Sequence, residues 1–333
     1  MSPGFPALLQ GAALPSVDRP VVVAVAVVYF VIVTGIGAWA LRRTRDADDF
    51  FIAGKGIGLV AISLAAMSAT LSGFAFIGGP GLVYSVGLGA MLIILPAAFT
   101  NAMGAWVVAK RLRLLGEVRG LITVPDAVGV RYDSRWAQGL SGVGVLVAVI
   151  GYTATNFLAL GLVIQAIFGW SLGASVWLGA GIVLAYTVAG GMIAGIYTDV
   201  FQGSLMAVAS VLVFLFCLDA GGGLGEISRT LMEAEPGFLS PWGQLTPLAA
   251  LSFFFVFGVG SLGQPQVLHK FYMLDDPRRL KWYPVLVTGA LFLAMLLYFG
   301  IGVTTKALVA DGTLAALSNP DQATPVFLLR FTP

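Results

Sequence analysis

Long apolar runs alternate with short polar connections along the chain, and eight runs are long enough to cross a bilayer as helices. They fall near residues 20–41, 58–84, 87–110, 138–168, 173–191, 195–218, 246–267 and 283–305. A helix rising about 1.5 Å per residue needs roughly 20 apolar residues to traverse some 30 Å of hydrocarbon. Strands of alternating polarity, the signature of a membrane barrel, do not occur, so the pattern predicts spanning helices. The first run lacks a basic segment before it and is a full membrane thickness long, so it reads as a retained span and not as a cleaved signal.

Composition agrees with this pattern. Apolar residues make up 58% of the 333 residues and charged residues 10%, against about 25% charge in a soluble domain. The 43 glycines suit helices that approach one another closely in lipid, and no Gly-X-Y period points to collagen. One cysteine (Cys217) and one histidine (His269) leave no basis for an internal disulfide or a metal-ligand cluster. The net charge of +2 is too small to argue for nucleic acid.

Basic residues set the expected orientation. Of the 18 Lys and Arg residues, all but Arg19, Arg229, Lys306 and Arg330 fall in the connections after the first, third and seventh spans. The positive-inside rule then places those connections in the cytoplasm and the N-terminus outside. The opposite side holds the long 219–245 connection with Asp219, Glu226, Glu233 and Glu235. Asn319 to Pro325 reads as a loop, and the apolar run from Val326 stops at Pro333, far short of a span. A truncated chain is the expectation.

Two spans are weak as helices. The second carries Ser63, Ser68, Thr70, Ser72 and Gly73 at mid-span, followed by Gly79-Pro80-Gly81. A break there would free carbonyls that, with the hydroxyls, are hard oxygen ligands suited to Na⁺; the same small residues serve equally as helix-packing contacts. The seventh reads Phe257-Gly258-Val259-Gly260-Ser261-Leu262-Gly263-Gln264-Pro265, with three glycines and a proline that weaken a helix. Paired interrupted spans are the pattern of inverted-repeat transporters.

Asp199 is the one acidic residue inside an expected span. It reads either as a functional carboxylate or as a cap near the start of the sixth helix. Tyr152, Thr153, Thr155 and Asn156 form a polar cluster in the fourth span, which lines a cavity or bonds neighbouring helices. His269 reads as an interfacial residue.

With these residues in place, the sequence resembles the sodium/solute symporter family of proline permeases, pantothenate permeases and sodium/sugar cotransporters. The likeness runs from about Val21 to the end of the chain. It rests on Asp49-Phe50-Phe51-Ile52-Ala53-Gly54-Lys55, the Ser68–Gly73 stretch and Thr123-Val124-Pro125-Asp126. It rests further on Tyr186-Thr187-Val188-Ala189-Gly190-Gly191, Thr198-Asp199-Val200-Phe201-Gln202 and Gly263-Gln264-Pro265. The resemblance implies an all-α polytopic membrane protein of LeuT-like inverted-repeat architecture, here incomplete. Residues 1–19 would lie outside, 20–41 would be an extra helix, 58–218 the first five-helix repeat, 219–245 an extracellular loop, and 246–333 the start of the second repeat. It implies sodium on the carbonyls of Ser68 and Leu71, with Asp199 on the ion's path. Substrate would be lined by Thr70, Ser72, Gly73, Tyr152 and the Phe257–Gln264 region, which includes Ser261. The family's proline permeases carry an aspartate where Thr70 stands, its sugar transporters an asparagine, and Ser261 replaces an aromatic gate residue.

The function this implies is sodium-coupled import of a small organic solute (amino acid, carboxylate or sugar class) across the plasma membrane. Na⁺ is the coupling ion, no organic cofactor is involved, and no covalent chemistry is expected, since no nucleophile–base set is present. Two alternatives stay open: a transporter-like membrane sensor, and a proton-coupled transporter using Asp199.

Overall fold

The computed structural model describes residues 19–70 and 74–332. Within lipid every backbone polar group must find an internal partner, which only helices or closed barrels supply, and the described chain is built of helices. Its one extended pairing is an isolated bridge between Ile57 and Leu274. The helices are α1 (Arg19–Leu41), α2 (Ala47–Ile52), α3 (Leu59–Thr70), α4 (Gly79–Val86), α5 (Met91–Gly104), α6 (Lys110–Arg119) and α7 (Val124–Tyr132). They continue as α8 (Arg135–Phe168), α9 (Leu172–Ala220), α10 (Leu224–Ala234), α11 (Pro247–Leu262), α12 (Pro265–Leu268), α13 (Tyr283–Ala310) and α14 (Ala323–Phe331). Among the described residues six helical stretches are long and apolar enough to cross a membrane, and Leu59–Thr70 and Leu172–Val188 are shorter apolar helices.

The fifth and sixth spans form one 49-residue helix, α9, folded sharply at Gly191. Its φ of 55° and ψ of −145° lie where only glycine sits without strain, and a Cβ there would press on the Phe50 backbone at 2.7 Å. The turn expected at Gly190-Gly191 is therefore a glycine turn.

The middle of the bundle is α3, packed between α9 and α13, with Ile62, Ala65, Ala66 and Met67 fully buried. The small residues among the buried set, Ser63, Ala65, Ala66 and Ser68, let backbones meet closely, which favours helix association in lipid. At Gly79 the contact is tight enough that a Cβ would overlap the Tyr298 ring of α13. Outward faces are apolar: Val21, Val25, Val28 and Val31 on α1, and Leu140, Val143, Val147 and Ile150 on α8, are all exposed. Lipid is the solvent that such faces require.

Several expectations are revised. The third span does not end near residue 110 but continues through a π turn, Ala105–Ala109, into α6. Lys110, Arg111 and Arg113 thus lie on a helix and not in a loop, and Arg113 is buried with its Nε donating to the Leu274 carbonyl at 2.8 Å. The 219–245 connection is folded, not a plain loop. Ile227 and Leu231 of α10 and Phe238 beyond it are buried, the Gln244 amide donates to the Val86 carbonyl, and Glu235 pairs with Lys306 at 2.8 Å. Thr123 and Asp126 form a capping box that starts α7, an element whose Thr-x-x-Asp signature is present in the sequence. Residues 320–331 are helical, not a loop running into an apolar tail.

Candidate functional site

A cavity of about 1670 Å³ opens beside α3, with Ser68, Tyr152, Asn156, Asp199, Gln202 and Lys270 among its lining residues. The interruption expected in the seventh span is present. Helix α11 stops at Leu262, Gln264 is extended (φ −63°, ψ 113°), and α12 restarts at Pro265. Proline removes one backbone donor and glycine lowers helix propensity, which is why the chain yields here. Pro265, Gln266, His269 and Lys270 on the far side of the break face the cavity.

The other expected break falls on residues 71–73, so Leu71, Ser72 and Gly73 lie outside the described residues. Directly after them the chain makes a π turn, Phe74–Gly78, and π turns leave a helical hydrogen-bond ladder out of register. Ser68 is buried and lines the cavity. Thr70 turns its hydroxyl back onto the Ala66 carbonyl at 2.8 Å. Tyr152 reaches across from α8 to donate to the Ala69 carbonyl at 2.7 Å, and Asn156 donates to the Tyr152 backbone carbonyl one turn earlier in α8. Of the polar cluster on α8, Tyr152, Thr153 and Asn156 line the cavity.

Asp199 is not a helix cap. It sits eight residues beyond Gly191, inside α9, and its Oδ2 accepts from Lys270 Nζ at 2.5 Å. The same ammonium donates to the Ala65 carbonyl of α3 at 2.8 Å. A lone charge at a helix centre in a membrane costs about 2.5–3.5 kcal/mol, and the pairing offsets that for both groups. By sequence Lys270 groups with the basic loop residues. Instead its side chain is 5% exposed, against 28% for Asp199. A signal was available, since Val267, Leu268, Phe271, Tyr272 and Met273 enclose it with apolar residues. His269 is held against α2 by a contact of its Nε2 with the Phe51 carbonyl at 2.8 Å. Gln202 donates to the Tyr29 hydroxyl of α1 at 2.8 Å, a link that sequence reasoning missed.

The structure does not bring all the expected substrate residues to this cavity. Ser261 is buried between α11 and α5, where its hydroxyl meets that of Thr100 and donates to the Gly258 carbonyl. Phe257 is on an exposed face of α11, 38% exposed. Gln264 stands at the break itself, its Oε1 buried and without a hydrogen-bond partner among the described residues. No group of three or more His, Cys, Asp or Glu is assembled among the described residues. A cation in this cavity would meet carbonyl and hydroxyl oxygens and the carboxylates of Asp199 and Asp321, the ligands of hard ions.

Comparison with known proteins bears on the family and the fold. The chain is 29% identical over 253 residues to the high-affinity proline transporter PutP of Bacillus subtilis (strain 168), covering 74% of this chain and 52% of that one. It is 25% identical over 299 residues to the sodium/pantothenate symporter of Escherichia coli (strain K12), covering 86% and 61%. The chain thus spans between half and two thirds of the length of these relatives. Its fold is similar to that of a Na⁺-coupled sialic acid symporter solved in a substrate-bound outward-open state, with a TM-score of 0.75 at 21% identity, covering 93% of this chain and 65% of that one. The architecture is LeuT-like. The family model described as "Sodium:solute symporter family" matches residues 50–331, and the chain belongs to that family.

Proposed function

We propose that the protein is a sodium-coupled secondary active transporter that imports a small organic solute by alternating access, with Na⁺ as the coupling ion. The observation that carries the reading is the interrupted span at Gly263–Gln264, set beside α3 at a largely apolar cavity that holds Ser68, Tyr152, Asn156 and Asp199, within a chain of this family. Interrupted spans at mid-membrane hold ions and solutes while one part of the bundle rocks against another.

In this mechanism the Ser68 and Leu71 carbonyls take the ion, and Asp199 lies on its path. Tyr152 and the Gln264 region, with Thr70, Ser72 and Gly73, face the solute. Sodium and solute favour the same conformation, so each raises the affinity for the other by the same factor. Each charge moved inward gains about 2.3 kcal/mol per 100 mV of membrane potential. We assign α3 to α9 to the first repeat and the chain from α11 onward to the second, with the N-terminus outside the plasma membrane and α1 as an additional helix.

The test is uptake by the full-length protein in proteoliposomes, with proline, pantothenate and sialic acid as labelled probes. Uptake that requires an inward sodium gradient supports the reading. Uptake that ignores sodium and follows a pH gradient replaces it with proton coupling through Asp199. Binding without uptake replaces it with a sensor.

A further inference from the structure

We propose that Lys270 is a tethered counter-cation on the sodium path, which competes with the ion for Asp199 and so promotes its release toward the side of the basic loops. The inference rests on the sodium-coupled reading above.

The position of the ammonium carries the argument. Lys270 Nζ is held by a carboxylate oxygen of Asp199 at 2.5 Å and the Ala65 carbonyl at 2.8 Å. One carboxylate and one carbonyl are the donor types a sodium ion takes, so the ammonium occupies ligands that would otherwise serve the ion. Ala65 precedes Ser68 by a single turn of α3. Along the helix axes, Ala65 lies about 9 Å from the start of α3 at Leu59, and Asp199 about 12 Å beyond Gly191. The pair therefore sits between Ser68 and the face of the bundle that carries the basic connections.

Both side chains line the cavity, and the Asp199 side chain keeps 28% of its surface open, so an ion arriving from Ser68 can reach it. One carboxylate neutralises one monovalent cation. When sodium engages Asp199, the ammonium must withdraw onto the Ala65 carbonyl, and when it returns, the ion is left without its counter-charge. Lys270 lies on a short 3₁₀ turn, His269–Met273, that continues α12 directly. Any movement at the Gly263–Gln264 break is therefore passed to the ammonium within two turns of chain.

Equilibrium binding of radiolabelled sodium to the purified full-length protein, with the melting temperature recorded for each variant, tests this. Lys270→Gln is expected to bind sodium about five- to tenfold tighter, the scale of a typical coupling between sites, and to slow sodium efflux from preloaded proteoliposomes. Lys270→Arg is expected to restore affinity to near the wild-type value. A folded Lys270→Gln protein with unchanged or weaker sodium affinity overturns the proposal and leaves the pair a purely structural clamp. Should Lys270→Gln fail to fold, Asp199→Asn is compared with Asp199→Asn/Lys270→Gln. The double variant is expected to bind sodium at least about fivefold tighter, because the single variant leaves an uncompensated ammonium on the path; equal affinities overturn the proposal. If the wild type binds no sodium at all, the sodium-coupled reading itself is wrong. Sodium binding by the wild type with no response to Lys270 defeats this inference alone.

Discussion

The phenol of Tyr152 on α8 donates to the carbonyl of Ala69 on α3 at 2.7 Å, the residue after Ser68. This bond ties a long, lipid-facing helix to the element at the centre of the bundle. Tyr152→Phe keeps the ring and removes the donor. Interhelical hydrogen bonds in membranes contribute about 0.6 kcal/mol on average and about 1.7 at most, so a small loss of thermal stability is expected. The larger effect falls on the ion: with this end of α3 less constrained, half-saturation by sodium in uptake assays rises by about three- to tenfold, or up to 1.4 kcal/mol. A sodium titration that superimposes on the wild type would show that the bond does not position the site.

Gly191 offers a test of the fold itself. Alanine there would adopt a φ of 55° with a ψ of −145° and bring a Cβ within 2.7 Å of the Phe50 backbone. Strain of about 1–3 kcal/mol for the dihedrals is joined by displacement of α2. Gly191→Ala is expected to lower the melting temperature sharply and to reduce the folded yield, whereas Gly195→Ala, with open space around it, leaves both unchanged. Equal behaviour of the two variants would contradict the glycine turn.

Range along the chain decides which features are legible in the sequence. Spans can be read because hydrocarbon demands an unbroken apolar run, and the turn at Gly190-Gly191 and the break at Gly263-Gln264-Pro265 because glycine and proline act on the backbone where they stand. The Lys270–Asp199 pair joins residues 71 positions apart, and no local pattern encodes such a partnership. Counting Lys270 and Arg113 among loop cations gives an orientation but conceals that both are buried. Ser261 shows the same limit: a hydroxyl on a glycine-rich helix reads alike whether it faces a cavity or, as here, Thr100 on a neighbour.

That placement of Ser261 leads to a separable prediction. The side chain joins α5 to α11 through Thr100 and lies apart from the cavity lining. Ser261→Ala is expected to cost about 1 kcal/mol of stability and to leave the solute concentration for half-maximal uptake unchanged. Gln266→Ala, by contrast, alters the cavity wall and is expected to change that concentration. A shift in solute affinity of more than about tenfold for Ser261→Ala, equivalent to 1.4 kcal/mol, would return the hydroxyl to the binding site.

Asp126 gives a pH dependence outside the membrane-spanning segments. Its Oδ2 accepts from the Thr123 amide at 2.9 Å and the Ile122 amide at 3.4 Å, and its Oδ1 from Gln138 of α8 at 2.8 Å. Partial burial alone would raise the carboxyl pKa; the bonds from Thr123 first, then Ile122 and Gln138, outweigh it and hold the group below its ordinary value. A depressed folded-state value means that the stabilisation is present above the unfolded pKa of about 3.9 and is lost as pH falls through the lower, folded one. Asp126→Ala removes the capping box and the link to α8 together, at an expected cost of about 1 kcal/mol, the partly exposed setting keeping it from being larger. Amide exchange protection at Ile122 and Thr123, followed from neutral pH down to about 3, should decline in the wild type as the carboxylate is titrated. In Asp126→Asn the protection should be lower at neutral pH and flat across the same range. Matching acid profiles for the two proteins would mean that another group anchors the start of α7.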